Sequence, residues 1–140
     1  MNFKILLVGL NNVGKGSLIH MWKTNQYNNI GPISTYLNCK TNYGIIRLQI
    51  TQSHTYESNH DANIIMYDLT RPITMEILNR IPIDHKVQVI IGNKCDLLNY
   101  NRSRPRIYPY FDISVYLRYN INIVLLYLLR RLVADDLVLY

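Results

Sequence analysis

A chain of 140 residues, 49% apolar and 17% charged, is the size of one domain and too apolar to be disordered. Its two cysteines, Cys39 and Cys95, are far apart and lack metal-ligand spacing, which argues against a disulfide framework or a zinc site. The formal charge of +6 suits an anionic ligand or an acidic partner, and equally a solubilising surface.

The first residues lack the apolar core and cleavage site of a signal peptide. Ile5 to Val8 is a short continuous apolar run ending in Gly9, the pattern of a strand buried on both faces of a parallel sheet. Lys15 to Trp22 reads as a helix, and the alternating Ile45 to Ile50 reads as a strand. Ile64 to Tyr67 and Val87 to Ile91 are two more buried strands. Pro72 and Pro82 limit a short helix at Thr74 to Arg80 between them. Tyr108 to Ile113 is the last central strand. Ile121 to Val133 is the longest helix, with Arg130 and Arg131 near the end where cations suit its dipole.

The apolar stretch Ile121 to Leu129 is too short to span a bilayer, so an intracellular, reduced protein is expected. Arg102, Arg104 and Arg106 flank a proline and read as solvated loop residues rather than a nucleic-acid patch. No repeat or linker divides residues 1–140. Strands alternating with helices predict one α/β domain with a mostly parallel, doubly wound sheet, which binds ligands beyond the carboxyl ends of its strands. Gly9, Asp68, Asn93 and Ser114 would all lie there.

Two motifs carry chemistry. Gly9-Leu-Asn11-Asn12-Val13-Gly14-Lys15 matches Gly-x-x-x-x-Gly-Lys, in the right place after a strand and before a helix. Such a loop turns its N–H groups toward phosphates, and Lys15 would sit between the β- and γ-phosphates. The next position normally carries a hydroxyl that binds Mg²⁺, and here it is Gly16. Ser17 follows, but one residue along a helix turns a side chain by roughly 100°. Metal binding is therefore compromised.

Asn93-Lys94-Cys95-Asp96 follows a strand and fits a guanine site. The Asp96 carboxylate can accept from the ring N–H and the exocyclic amine of guanine together. Adenine would leave it repelled and unpaired. Asn93 would bind the other base edge and brace the phosphate loop, and the stem of Lys94 would pack on the ring.

With both motifs in place, the sequence resembles the small GTPases of the Ras superfamily over nearly its whole length. Asn63 to Thr70, Asn42 to Arg47, Tyr110 to Ser114 and Arg131 to Tyr140 look most like the Ran branch. The chain end has no cysteine to prenylate and residue two is Asn, so no lipid anchor is expected, as in Ran. Gly92-Asn93-Lys94-Cys95-Asp96 is common in Rab proteins, which keeps that ancestry open.

The resemblance implies a P-loop NTPase G domain that binds GTP or GDP as a monomer in nucleus and cytoplasm. The phosphates would meet Gly9, Asn11, Asn12, Val13, Gly14, Lys15, Gly16 and Ser17. The base would meet Asn93, Lys94, Asp96, Ser114, Val115 and Tyr116, the last replacing the usual Lys. Its partners would be Ran-binding transport receptors or regulators.

The switch regions depart from the family. Alignment on Gly31 puts Asn29 at the switch I threonine, in a shortened loop, with Thr35 as the weaker candidate. In switch II the metal-linked Asp is Gln52, the γ-phosphate-sensing Gly is Thr55, and the water-positioning Gln is Tyr56. Most of the following helix is missing before Asp61. His54 and His60 have no evident acid partner, so neither is assigned catalysis. The expectation is a pseudo-GTPase that binds guanine nucleotide without cycling. The alternative is an active Ras- or Rab-type GTPase in which Ser17 and Asp68 hold Mg²⁺. A P-loop kinase or ATPase would leave Asn93 to Asp96 unexplained.

Overall fold

The central strand β1, Asn2–Val8, is apolar without interruption because it feeds two cores. Ile5 and Leu7 face one side of the sheet, while Leu6 and Val8 face the other, and all four are fully buried. The structure, a computed structural model, describes residues 1–82, 86–97 and 109–140. The arginines 102, 104 and 106 and Tyr108 of the expected last strand lie outside them.

After β1 come α1 (Lys15–Thr24), β2 (Ser34–Thr41), β3 (Gly44–Ser53), β4 (Ala62–Asp68) and a 3-10 helix at Pro72–Arg80. Then follow β5 (Val87–Asn93), a 3-10 turn at Cys95–Leu97, β6 (Tyr110–Asp112) and α2 (Ile121–Leu132). The strands lie in the order β2-β3-β1-β4-β5-β6. All neighbours pair in parallel except β2 and β3, which form a hairpin with Ser34 opposite Thr51 and Thr41 opposite Gly44. Successive connections diverge from β1 to either side, so a crevice opens beyond its carboxyl end.

Two details differ from expectation, β2 and the 3-10 helix, while the missing helix before Asp61 agrees with it. β2 was not foreseen, since Tyr36 stands among the polar residues that alternate with Thr35, Leu37 and Cys39. The expected helix after Pro72 is 3-10. Its start is tied to β4 because the Thr74 hydroxyl accepts the Asp68 N–H at 2.8 Å and also lies 2.7 Å from the Arg71 carbonyl. No helix joins β3 to β4. Residues 54–61 return directly to Asp61, whose N–H donates to the Lys4 carbonyl and whose carboxylate accepts the Lys4 N–H at 2.7 Å.

The cores are unequal as a result. α1 and α2 cover the larger one, which includes Ile46, Leu48, Ile64, Val89, Val124 and Leu128. The opposite face holds Leu6, Val8, Ile65, Tyr67, Leu69, Ile77 and Ile90, packed by the 3-10 helix and by Tyr56. Truncating a buried Leu or Ile to Ala in either core is expected to cost about 2–5 kcal/mol. The two cysteines form no disulfide, and burial pushes the Cys39 thiol up to about 11, which leaves it inert. Among the described residues no helix is long and apolar enough to cross a membrane.

Candidate functional site

The crevice is bounded first by the phosphate loop. Gly14 adopts φ +109°, and a Cβ there would lie 2.3 Å from the Asn93 amide nitrogen. Only glycine meets both conditions. Gly14 is also the N-cap of α1 and offers no side chain, and the first turn carries no acidic residue. The first-turn N–H groups are thus left for a ligand, and the helix dipole favours an anion.

Lys15 is 5% exposed and folds back over the loop, donating to the carbonyls of Gly9 at 2.6 Å and Leu10 at 2.8 Å. Burial lowers its ammonium to about 8, because the charged form loses hydration there. Gly9 lies beneath the Met66 carbonyl, and Val13 is in the larger core. These two shape the loop from below.

The base end is wired to the phosphate loop through one buried amide. Asn93 Nδ2 donates to the Val13 carbonyl at 2.9 Å, and its Oδ1 accepts the Val115 N–H at 3.1 Å. Asp96 Oδ1 accepts the Ser114 hydroxyl at 2.7 Å, which fixes the carboxylate. Lys94 takes φ +68° and pairs with Asp68 at 2.8 Å, so its stem is held along the site rather than free in solvent.

Asp68 is a hub. Burial raises its carboxyl, but hydrogen bonds from Lys94, Thr70 and Arg71 outweigh that and hold it below the ordinary carboxylate value. Arg71 continues the chain, donating to the carbonyls of Asn11 at 3.0 Å and Asn12 at 2.8 Å.

These groups enclose two adjoining cavities. One, of about 490 Å³, is bordered by Asn12, Ser17, Tyr27, Lys94, Asp96 and Tyr116. The other, of about 240 Å³, is bordered by Asn11, Lys15, Gly16, Asn29, Gln52 and His54. Asn12, Gly14 and Asn29 border both. An apolar-walled slot with a fixed carboxylate therefore runs into a short cavity lined by amides, an ammonium and backbone.

No protein-family model matches the chain. Among curated proteins it is 34% identical over 119 residues to human "Ras-related protein Rab-19", covering 68% of this chain and 54% of the relative. The Xenopus laevis protein of that name is 32% identical over 119 residues (68% and 55%), and Dictyostelium discoideum "Ras-related protein RabT1" is 27% identical over 121 residues (69% and 54%). The strand order and the two loops agree with these matches. The chain belongs to the Ras superfamily of small GTPases. It spans about half the length of the relatives it matches. Those relatives are Rab proteins, so the expected Ran branch is unsupported, and with it the transport-receptor partners. The Rab ancestry held open above fits better.

Against the superfamily pattern, the metal end is rebuilt. Gly31 is pressed on Gly16, and a Cβ on Gly16 would lie 2.8 Å from the Gly31 nitrogen. Gln52 does occupy the cavity, but its amide donates to the Pro32 carbonyl at 2.9 Å. The alternative pair of Ser17 and Asp68 does not assemble. Asp68 is fully buried and bonded on both oxygens to Thr70, Arg71 and Lys94, and it borders neither cavity. Among the described residues no cluster of three His, Cys, Asp or Glu is placed for a metal. Mg²⁺ wants octahedral oxygen ligands, usually including a carboxylate, and these residues do not fit it.

The switch positions sort clearly. Asn29 borders both cavities, whereas Thr35 lies in β2 opposite Ile50. Thr55 closes a local turn with Ser53, and Tyr56 packs into the smaller core instead of facing the phosphate end. His54 borders the phosphate cavity, and His60 borders neither cavity.

Sequence reasoning missed Tyr27 and Arg71. Tyr27 meets Tyr116 edge to face, with ring centroids 5.1 Å apart, closing the slot's mouth from opposite loops. The signal was an aromatic just past α1, visible only beside the lost lysine at Tyr116. Arg71 braces the phosphate loop across 59 residues of sequence, and nothing local marks it.

Proposed function

We propose that this protein is a Rab-like guanine-nucleotide-binding protein whose turnover is slow. The observation that carries the reading is the Asn93 bridge. One buried amide ties the phosphate loop to the loop bearing Ser114 and Val115, while Ser114 aims the carboxylate of Asp96. A ligand with phosphates at one end and paired N–H donors at the other meets that arrangement, and guanine nucleotides have both. In this reading Asn93, Lys94, Asp96, Ser114, Val115 and Tyr116 meet the base. Asn11, Asn12, Gly14, Lys15, Gly16 and Ser17 meet the phosphates.

Slow turnover follows from what the phosphate end lacks. Hydrolysis needs the developing charge neutralised and a residue to orient the water. Tyr56, at the water-positioning place, is engaged in the smaller core. Calorimetric titration of the purified protein with GDP, GTP and ADP tests the reading. GDP and GTP bind with similar affinity, ADP binds far more weakly, and phosphate release from GTP stays near the uncatalysed level. Equal binding of ADP and GDP contradicts the base assignment. Rapid phosphate release contradicts the slow-turnover assignment alone.

A further inference from the structure

The loop between α1 and β2 sits unusually close to the start of α1. The Gly16 and Gly31 backbones meet with no room for a side chain on either. A Cβ on Gly31 would fall 1.9 Å from the Gly16 carbonyl oxygen, and one on Gly16 would fall 2.8 Å from the Gly31 nitrogen. Neither glycine has a positive φ, so conformation does not demand them; the close approach does. Gln52 holds the same loop from β3. Its side-chain amide donates to the Pro32 carbonyl at 2.9 Å and its backbone N–H to the Ile33 carbonyl at 2.8 Å. Tyr27 pins the loop's other end against Tyr116.

We propose that this glycine contact is a latch that replaces the divalent cation, so that the site takes its nucleotide with metal-free phosphates and the loop stays shut whatever is bound. The proposal rests on the guanine-nucleotide reading above for the identity of the ligand. The latch itself does not depend on that reading.

The chemistry of the walls agrees. The phosphate cavity is bordered by Asn11, Asn12, Lys15, Asn29, Gln52 and His54, with no carboxylate among them. The nearby carboxylate of Asp68 is spent on three donors of its own. A divalent cation entering with the nucleotide would meet the Lys15 ammonium, which repels it, and no carboxylate that offsets that repulsion. Phosphate oxygens without a cation instead accept from Lys15 and from the first-turn N–H groups of α1. Closing the loop onto Gly16 removes the space a metal-binding hydroxyl would occupy. It also supplies the packing that metal and γ-phosphate contacts would otherwise supply.

Two measurements on the whole chain test this. The first is the affinity of GDP with millimolar Mg²⁺ and with EDTA in its place. The expected values agree within about threefold, and tightening by about tenfold or more with Mg²⁺ overturns the proposal. Failure to bind GDP under either condition defeats the nucleotide reading, and the metal-free ligand falls with it. The second is amide hydrogen exchange at residues 29–33 in nucleotide-free protein. Protection is expected without ligand, unchanged by GDP or GTP, and lost in Gly16→Ser, whose side chain displaces Gly31. Exchange that is fast until nucleotide is added overturns the latch. The double variant Gly16→Ser/Gln52→Asp restores a hydroxyl and a carboxylate and is expected to acquire Mg²⁺-dependent affinity. If the wild type shows that dependence and the double variant adds none, the assignment is wrong.

Discussion

Replacing Asn93 by Ala tests the wiring of the site without any ligand. Asn93 is 3% exposed, and its two partners, the Val13 carbonyl and the Val115 N–H, belong to residues no more than 1% exposed. Each hydrogen bond contributes about 1 kcal/mol net, and each partner left buried and unpaired costs about 1–3 kcal/mol. Water reaching one of the two groups would recover part of that, so the expected loss is roughly 2–4 kcal/mol. Urea denaturation followed by circular dichroism measures it, with the slope of the transition unchanged and only the midpoint lowered. Amide exchange at Val115 should quicken beyond the global loss of stability. A destabilisation under about 1 kcal/mol, with Val115 still protected, refutes the claim that this amide holds the two loops together.

Other substitutions probe the ends of the slot. Lys15 sits at about 8 in the empty protein because of burial, and a bound phosphate favours its charged form and raises that value. Nucleotide affinity should therefore be full below pH 8 and fall above it by up to about tenfold per pH unit. Lys15→Met abolishes that slope in a fluorescence titration, and a flat wild-type profile from pH 7 to 9 contradicts the assignment. The empty protein behaves oppositely, since a lowered folded-state value makes stability rise between about pH 8 and 10.5. Asp96→Asn keeps an acceptor for Ser114 but loses one for the base. GDP should weaken by about tenfold to a hundredfold in a competition assay while thermal stability barely moves. Arg71→Met removes donors to Asn11 and Asn12 and one partner of Asp68. Its half-exposed position limits the stability loss to about 1 kcal/mol, but hydrogen exchange at residues 11–12 should rise.

What could be read in advance depended on how local the cause was. β1, β4 and β5 were visible because strands buried on both faces must be apolar at every position, as Ile5 to Val8 and Ile64 to Tyr67 are. β2 was missed because it is an edge strand with a single strand neighbour, and few of its inward positions are strongly apolar. The phosphate loop and Asn93 to Asp96 could be placed because each needs particular residues at fixed spacing. Gly16 showed that a hydroxyl was lost, but only the fold shows Gly31 packed against it. Asp68 looked available for a metal from its place at a strand end. Thr70, Arg71 and Lys94, which occupy it, converge only in three dimensions. The branch was misjudged because Asn63 to Thr70 encodes a buried strand and a turn, and such segments report packing more than lineage.

The central claim is that the slot between Lys15 and Asp96 holds a guanine nucleotide. Its most direct test is to purify the protein in the presence of EDTA, denature it, and identify the released small molecules by mass spectrometry. GDP or GTP in near-equimolar amount is the result expected. An adenine nucleotide released in the same amount would contradict it.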